Sequence, residues 1–123
     1  MRELVHVSGE FSICKVADIG FVDLKQQPLF IAVTEEEISI VCKSSNAPQN
    51  VLAQEDGWAM LKIAGVLDFS LVGILARIAE LLASKGISIF VSSTFNTDYI
   101  LIKTERLAEA AEQLKSNGYK VHV

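Results

Sequence analysis

Gly65-Val66-Leu67-Asp68-Phe69-Ser70-Leu71-Val72-Gly73-Ile74-Leu75-Ala76-Arg77-Ile78 is where the chain changes its period. Before it, Trp58 to Ala64 reads as a strand that stops at Gly65. After it, Leu71, Ile74, Leu75, Ile78, Leu81 and Leu82 follow the 3, 4, 7 spacing of a helix with one buried face. Ser70 is placed to cap that helix by accepting an orphan amide hydrogen bond, and Gly86 to end it in a left-handed conformation. Ile87, Ile89, Val91, Ser93 and Phe95 then alternate with Ser88, Phe90, Ser92 and Thr94, the period of a strand. Asn96-Thr97-Asp98 is turn chemistry, and Tyr99 to Thr104 returns as a strand. Leu107, Ala110, Ala111 and Leu114 mark a second amphipathic helix closed by Asn117-Gly118, and Tyr119 to Val123 is the last strand. Strand, helix, strand, strand, helix, strand is a split βαβ pair: an α+β, ferredoxin-like βαββαβ unit. Right-handed crossovers place both helices on one sheet face. The other face also carries apolar groups, so the N-terminal half or a second copy of the chain is expected to cover it.

The N-terminal half reads as a shortened, degenerate relative of the same unit. Glu10 to Ala17 is a strand, Leu29 to Thr34 and Ile38 to Lys43 form a hairpin around the charged turn Glu35-Glu36-Glu37, and Asp18 to Pro28 is a loop where a helix would stand. Ser44 to Gly57 is polar and reads as a connector with a short helix near Val51 to Gln54. The likeness lies in element order rather than residue identity. The expected boundaries are residues 1–56 for the degenerate module and 57–123 for the complete one.

Composition narrows the function. In 123 residues, half are hydrophobic, which is enough for a real core. Eleven Lys and Arg against fifteen Asp and Glu leave a formal charge of −4, and the cations are scattered singly. That balance argues against nucleic acid, whose binding rests on phosphate neutralisation. No apolar run approaches the ~20 residues of a membrane span, and Met1-Arg2-Glu3-Leu4-Val5-His6 lacks the apolar stretch of a secretory signal. A soluble, cytoplasmic protein that meets neither membrane nor nucleic acid is expected. Cys14 and Cys42 sit in apolar, strand-like runs and read as buried reduced thiols.

Catalytic and metal chemistry find little support. His6 and His122 stand at opposite ends of the chain without ligand spacing, so neither a metal site nor a cofactor is expected. A Cys–His nucleophile pair needs a base held against the thiol, which nothing here arranges. Gly65 and Gly73 lack the GxGxxG spacing. Two segments carry more. Gly65 to Ser70 leads into a helix N-terminus, whose free N–H groups and partial positive charge suit a carboxylate, although on the segment alone the better explanation is that Asp68 or Ser70 caps the helix and Gly65 turns the chain. Ser92-Ser93-Thr94 puts a run of hydroxyls into an apolar strand, where each needs a partner. It is either the wet face of an edge strand or a polar seam toward a ligand or second subunit.

Residues 58–123 resemble an ACT domain, and more narrowly the ACT modules of the CASTOR arginine-sensor family and their small bacterial relatives. The resemblance rests on Trp58 to Ile63, Gly73 to Ala79, Gly86 to Val91 and, most specifically, Ser93-Thr94-Phe95-Asn96-Thr97-Asp98 continuing to Ile102. Upstream, Phe30 to Val41 resembles the strand–turn–strand that precedes the complete module. The resemblance implies a non-catalytic regulatory module, not an enzyme, that binds a free amino acid or similar small metabolite between paired ACT modules. One module supplies the start of its second strand, matching Ser88 and Ile89. The other supplies its strand-to-helix loop, matching Gly65, Val66, Asp68, Phe69, Ser70, Leu71 and Val72, and its hairpin, matching Thr94, Phe95, Thr97 and Asp98. The sensors carry four ACT-like units in one chain, so a homodimer is implied here. The competing expectation is a structural dimerisation module with no ligand site. An acylphosphatase-like hydrolase needs an Arg in a phosphate cradle, and Arg2, Arg77 and Arg106 occupy none. An RNA-binding module needs exposed aromatics with basic residues on its central strands, and Phe90 with Lys103 is too little.

Overall fold

The computed structural model describes residues 2–123, which form two compact units: residues 2–8 with Ala59–Val123, and Gly9–Trp58. Two long strands, β1 (Glu3–Val16) and β4 (Val51–Ile63), contribute residues to both. Each carries a glycine at positive φ where the chain passes between units, Gly9 at 115° and Gly57 at 82°, a conformation that lets a strand bend without a Cβ clash.

The larger unit holds β4, α1 (Ile74–Ala83), β5 (Ile89–Ser93), β6 (Asp98–Lys103), α2 (Leu107–Ser116) and β7 (Lys120–His122). It is an α+β, ACT-like arrangement of two helices and a mainly antiparallel sheet in the order β7-β1-β4-β6-β5. The expected strand from Glu10 actually begins at Glu3. Its first residues lie between β4 and β7: Glu3, Leu4 and Val5 pair in parallel with Lys120, Val121 and His122, and the Ala64 N–H donates to the Glu3 carbonyl at 2.9 Å. Leu4 is thereby fully buried in a core with Leu61, Ile63, Ile78, Leu82, Ile100, Ile102 and Leu114. The last strand of the unit is thus joined to the sheet by the start of the chain.

The helical periodicities hold with one correction. Ile78, Leu81 and Leu82 of α1 and Ala110, Ala111 and Leu114 of α2 are the buried stripes. Gly86 ends α1 at φ 68°, with the Ile87 N–H returning to the Leu82 carbonyl at 3.0 Å. The N-terminus is different: α1 starts at Ile74, behind Gly73 at φ 79°, with no side-chain cap. Ser70 is therefore not the N-cap, and Leu71 is exposed rather than on the buried face. Asp68 explains this. Its Oδ1 accepts from the Ser70 N–H at 2.8 Å and its carbonyl from the Leu71 N–H at 3.0 Å, so the chain closes a separate turn before the helix begins.

In the smaller unit β2 (Phe30–Val33), β3 (Ile38–Lys43) and β1 form an antiparallel set, Phe11 facing Lys43 and Val16 facing Ile38. The helix expected near Val51 to Gln54 is the start of β4 instead; its polar residues are exposed strand positions, and pairing beside β1 overrides their weak local signal. A single 3₁₀ turn, Ser44–Asn46, precedes it. Cys14 and Cys42 are buried free thiols in a small core with Val22 and Ile40. Ser12, fully buried, donates to Asp56 Oδ1 at 2.5 Å and shares a hydrogen bond with Ser44 Oγ at 2.6 Å.

Candidate functional site

Two connections of the larger unit meet: the loop from β4 to α1, and the β5–β6 turn. The turn closes on its own threonine. Thr94 N–H donates to the Thr97 carbonyl at 2.8 Å, Thr94 Oγ1 donates to the same carbonyl at 3.2 Å, and Thr97 N–H donates back to Thr94 Oγ1 at 3.3 Å. The loop is joined to it by the Leu67 N–H, which donates to the Asn96 carbonyl at 2.7 Å. Beneath that bond the Thr97 hydroxyl donates to the Ile63 carbonyl, the last residue of β4, at 2.8 Å.

Between loop and turn lies a cleft of about 240 Å³. Of the residues singled out in the sequence, Asp68, Phe69, Leu71, Thr94, Phe95, Thr97 and Asp98 line it. Phe69 and Phe95, 76% and 80% exposed, meet edge to face with ring centroids 5.1 Å apart. Gly65, Val66, Ser70 and Val72 belong to the same loop without lining the cleft, and Ser88 and Ile89, at the start of β5, are outside it. Leu67, Gly73, Ile74, Leu75, Ala76 and Asn96 complete the lining and were not singled out in the sequence. The hydrophobic period of Ile74 and Leu75 accounts for them as core residues, and it conceals that the first turn of a helix also faces whatever precedes it.

The electrostatics are mixed. The first-turn amides of α1 have no upstream helical carbonyl to bind, and no side chain caps them. Their partial positive charge sits in the wall formed by Ile74, Leu75 and Ala76. Opposite charge comes from Asp68 and Asp98. Donation from the Ser70 backbone N–H, and then from its hydroxyl, holds the Asp68 carboxyl below its ordinary value. Asp98 Oδ1 accepts from Ser93 Oγ at 2.5 Å. Ser93 and Thr94 of the hydroxyl run thus find partners within the hairpin itself. Such a lining can hold a small molecule that presents an anionic group, a cationic group and an apolar body together. Among the described residues no cluster of His, Cys, Asp and Glu is arranged to hold a metal, and no helix is long and apolar enough to cross a membrane.

Similarity to known proteins bears on the same region. The family model for the ACT domain matches residues 54–116, half of the chain. A crystal structure of a protein from Agobacterium tumefaciens is 30% identical, with a TM-score of 0.86 over 98% of this chain and 91% of that one. A Vibrio cholerae protein of unknown function, described as a possible transport protein, is 21% identical with a TM-score of 0.73 over 94% and 88% of the two chains. The regulatory subunit of aspartate kinase from Thermus thermophilus, in its ligand-free form, shares the fold at 13% identity, with a TM-score of 0.61 over 94% and 96%. Among curated protein sequences there is no significant match. By the family match, the chain belongs to the ACT domain family.

Proposed function

We propose that this is a non-catalytic, cytoplasmic regulatory protein that binds a free amino acid or a similar small metabolite in the cleft between the β4–α1 loop and the β5–β6 turn. The observation that carries the reading is the convergence in one cleft of an uncapped helix N-terminus, two carboxylates and an aromatic pair. In this reading the ligand carboxylate meets the first-turn amides of α1, its ammonium meets Asp98, and its side chain lies against Phe69 and Phe95. The ACT family and the fold shared with an aspartate kinase regulatory subunit support a regulatory role. The kinship with CASTOR-type sensors is part of the same proposal, as is the homodimer in which Ser88 and Ile89 of one copy face the cleft of the other.

Residues 1–56 are proposed to be a degenerate ACT-like module and 57–123 the complete one. The two hairpins support this. Thr34 N–H donates to the Glu37 carbonyl at 2.9 Å, Thr34 Oγ1 to the same carbonyl at 3.2 Å, and Glu37 N–H to Thr34 Oγ1 at 3.1 Å, the pattern of Thr94 and Thr97. Each hairpin continues into a 3₁₀ turn, Ser44–Asn46 in one case and Thr104–Arg106 in the other.

A thermal-shift panel of the twenty amino acids on wild type and Asp98→Ala tests the function. One amino acid at about 100 times its dissociation constant adds about 2.7 kcal/mol to the wild type, and that shift is expected to disappear in Asp98→Ala. The exposed Val66, Phe69, Val72 and Phe95 favour a second reading, a dimerisation module without ligand. A flat panel from an intact dimer supports that reading and refutes the sensor.

A further inference from the structure

We infer that Thr97 is a positioning residue, one that sets the shape of the cleft through the Ile63 carbonyl and does not itself meet the ligand; this rests on the reading of the cleft as the ligand site. Thr97 borders the cleft, yet it is only 5% exposed, and its hydroxyl is already committed to the Ile63 carbonyl at 2.8 Å, thirty-four residues away in sequence. Ile63 is the last residue of β4, and the loop from Gly65 to Gly73, one wall of the site, follows it. A second tie joins loop and turn, the Leu67 N–H to the Asn96 carbonyl at 2.7 Å, made by the residue next to Thr97. The two bonds act on adjacent residues of one turn and hold both ends of the β4 exit against it.

The turn itself does not require this hydroxyl. The β2–β3 turn closes with the same three hydrogen bonds around Thr34, and Glu37 stands at the position of Thr97, with an exposed side chain. A hydroxyl that the turn geometry does not need, buried and aimed at the strand that launches the ligand loop, has the orientation of the loop as its consequence. Phe69 and Asp68 follow Leu67 on that loop, so their placement opposite Phe95 and Asp98 depends on it.

The test compares wild type, Thr97→Val and Thr97→Ser by residue-resolved amide hydrogen exchange. Valine keeps the shape and removes the donor; serine restores the donor. In Thr97→Val the Leu67 amide is expected to exchange about ten-fold faster relative to the Ile100, Leu101 and Ile102 amides of β6, because the local tie opens without global unfolding. Thr97→Ser is expected to return it to the wild-type ratio. Leu67 accelerating only in step with β6, or failing to recover in Thr97→Ser, overturns the inference and leaves Thr97 a structural residue. The amino acid selected by the thermal panel is then titrated into the three proteins, with about ten-fold weaker binding expected for Thr97→Val alone. Equal affinity in all three also overturns it. If no amino acid shifts the wild type, the ligand reading fails, while the exchange ratio still decides whether Thr97 positions the loop.

Discussion

Leu4→Ala is the substitution that most directly tests how the larger unit is built. Leu4 is fully buried, opposite Val121 of β7 and inside the core formed by Leu61, Ile63, Ile78 and Leu82. Truncating a fully buried leucine loses its transfer free energy and leaves a cavity, about 2–5 kcal/mol in total. Against a typical stability of about 5–15 kcal/mol, that is a large fraction. For a chain of this size each kcal/mol moves the melting temperature by about 3–5 °C, so a fall of about 6–25 °C is expected. Leu52→Ala, on an exposed position of β4, is the control and should stay within about 0.5 kcal/mol of wild type. Urea unfolding with an unchanged slope reads both. The same reasoning requires that residues 57–123 expressed alone be far less stable than the full chain, since β7 then loses its pairing with Glu3, Leu4 and Val5. A Leu4→Ala loss below about 1 kcal/mol, or a 57–123 fragment with the full-length midpoint, refutes the argument that the N-terminal residues complete this core.

The buried thiols predict an alkaline limit to stability. Burial, together with the neighbouring Cys14, pushes the Cys42 thiol from 9.0 up to about 12, and burial raises Cys14 as well. The unfolded chain releases those protons near pH 9.0 while the folded chain keeps them. Their contribution is therefore complete below pH 9.0 and lost as the pH rises toward about 12. Urea midpoints at rising pH are expected to fall less in a Cys14→Ala, Cys42→Ala double variant than in wild type, and parallel curves refute the assignment. In the folded protein both thiols should react with a disulfide reagent only as fast as the unit opens. A further test concerns Arg106, whose guanidinium donates to the Lys85 and Gly86 carbonyls at 3.0 and 3.4 Å and to Glu109 Oε1 at 2.9 Å. Arg106→Ala should cost about 1 kcal/mol, chiefly through the Lys85 and Gly86 carbonyls just past α1, because the ion pair itself is half exposed. Arg106→Lys should recover less than half of it, lacking the fork, and full recovery in thermal melts contradicts that account.

The part of the fold that was legible in the sequence is the part in which local pattern and tertiary environment agree. Ile78, Leu81 and Leu82 repeat at helical spacing because they face one core, and Ile38 to Lys43 reads as a strand because Ile40, Val41 and Cys42 make a short buried apolar run. Glu3 to Val5 shows no such agreement. Only Leu4 of the three is buried, and the partners of this segment, Val121 beside Leu4 and Ala64 on the Glu3 carbonyl, lie at the far end of the chain and after β4. A single buried residue between exposed neighbours leaves no period to detect. Val51 to Asp56 is hidden for a related reason, since Leu52 to Asp56 are all exposed strand positions beside β1, without alternation, and Gln54, Glu55 and Asp56 read as loop. In the site, Asp68 was visible as a polar residue ahead of a helix, but its role was misplaced by one turn. Capping by Ser70 and a separate Asp68 turn differ in which backbone N–H groups are bound, and the observed turn, with the Ser70 and Leu71 amides on Asp68, is followed by Gly73 at φ 79°. Thr97 was visible as turn chemistry, whereas its bond to Ile63 has no signature in the residues around either one.

The two hairpins separate what specifies a backbone from what specifies a site. Their turns close with the same hydrogen bonds, and each borders a cleft: about 240 Å³ beside Thr94 to Asp98, and about 320 Å³ beside Thr34 to Ile38 with Lys15, Val16, Ala17 and Leu52. The closing threonine is common to both, so it belongs to the turn. Everything else differs. Glu35, Glu36 and Glu37 present three exposed carboxylates. Phe95, Asn96 and Thr97 present an aromatic ring, a carbonyl that holds the incoming loop, and a hydroxyl turned inward. One turn is finished when its own hydrogen bonds are made, whereas the other uses its remaining groups to fix a second segment of chain. Because Phe69 and Asp68 are carried by that second segment, the cleft beside Thr94 is defined by two elements held at a set distance, and a change at the turn must be felt across it.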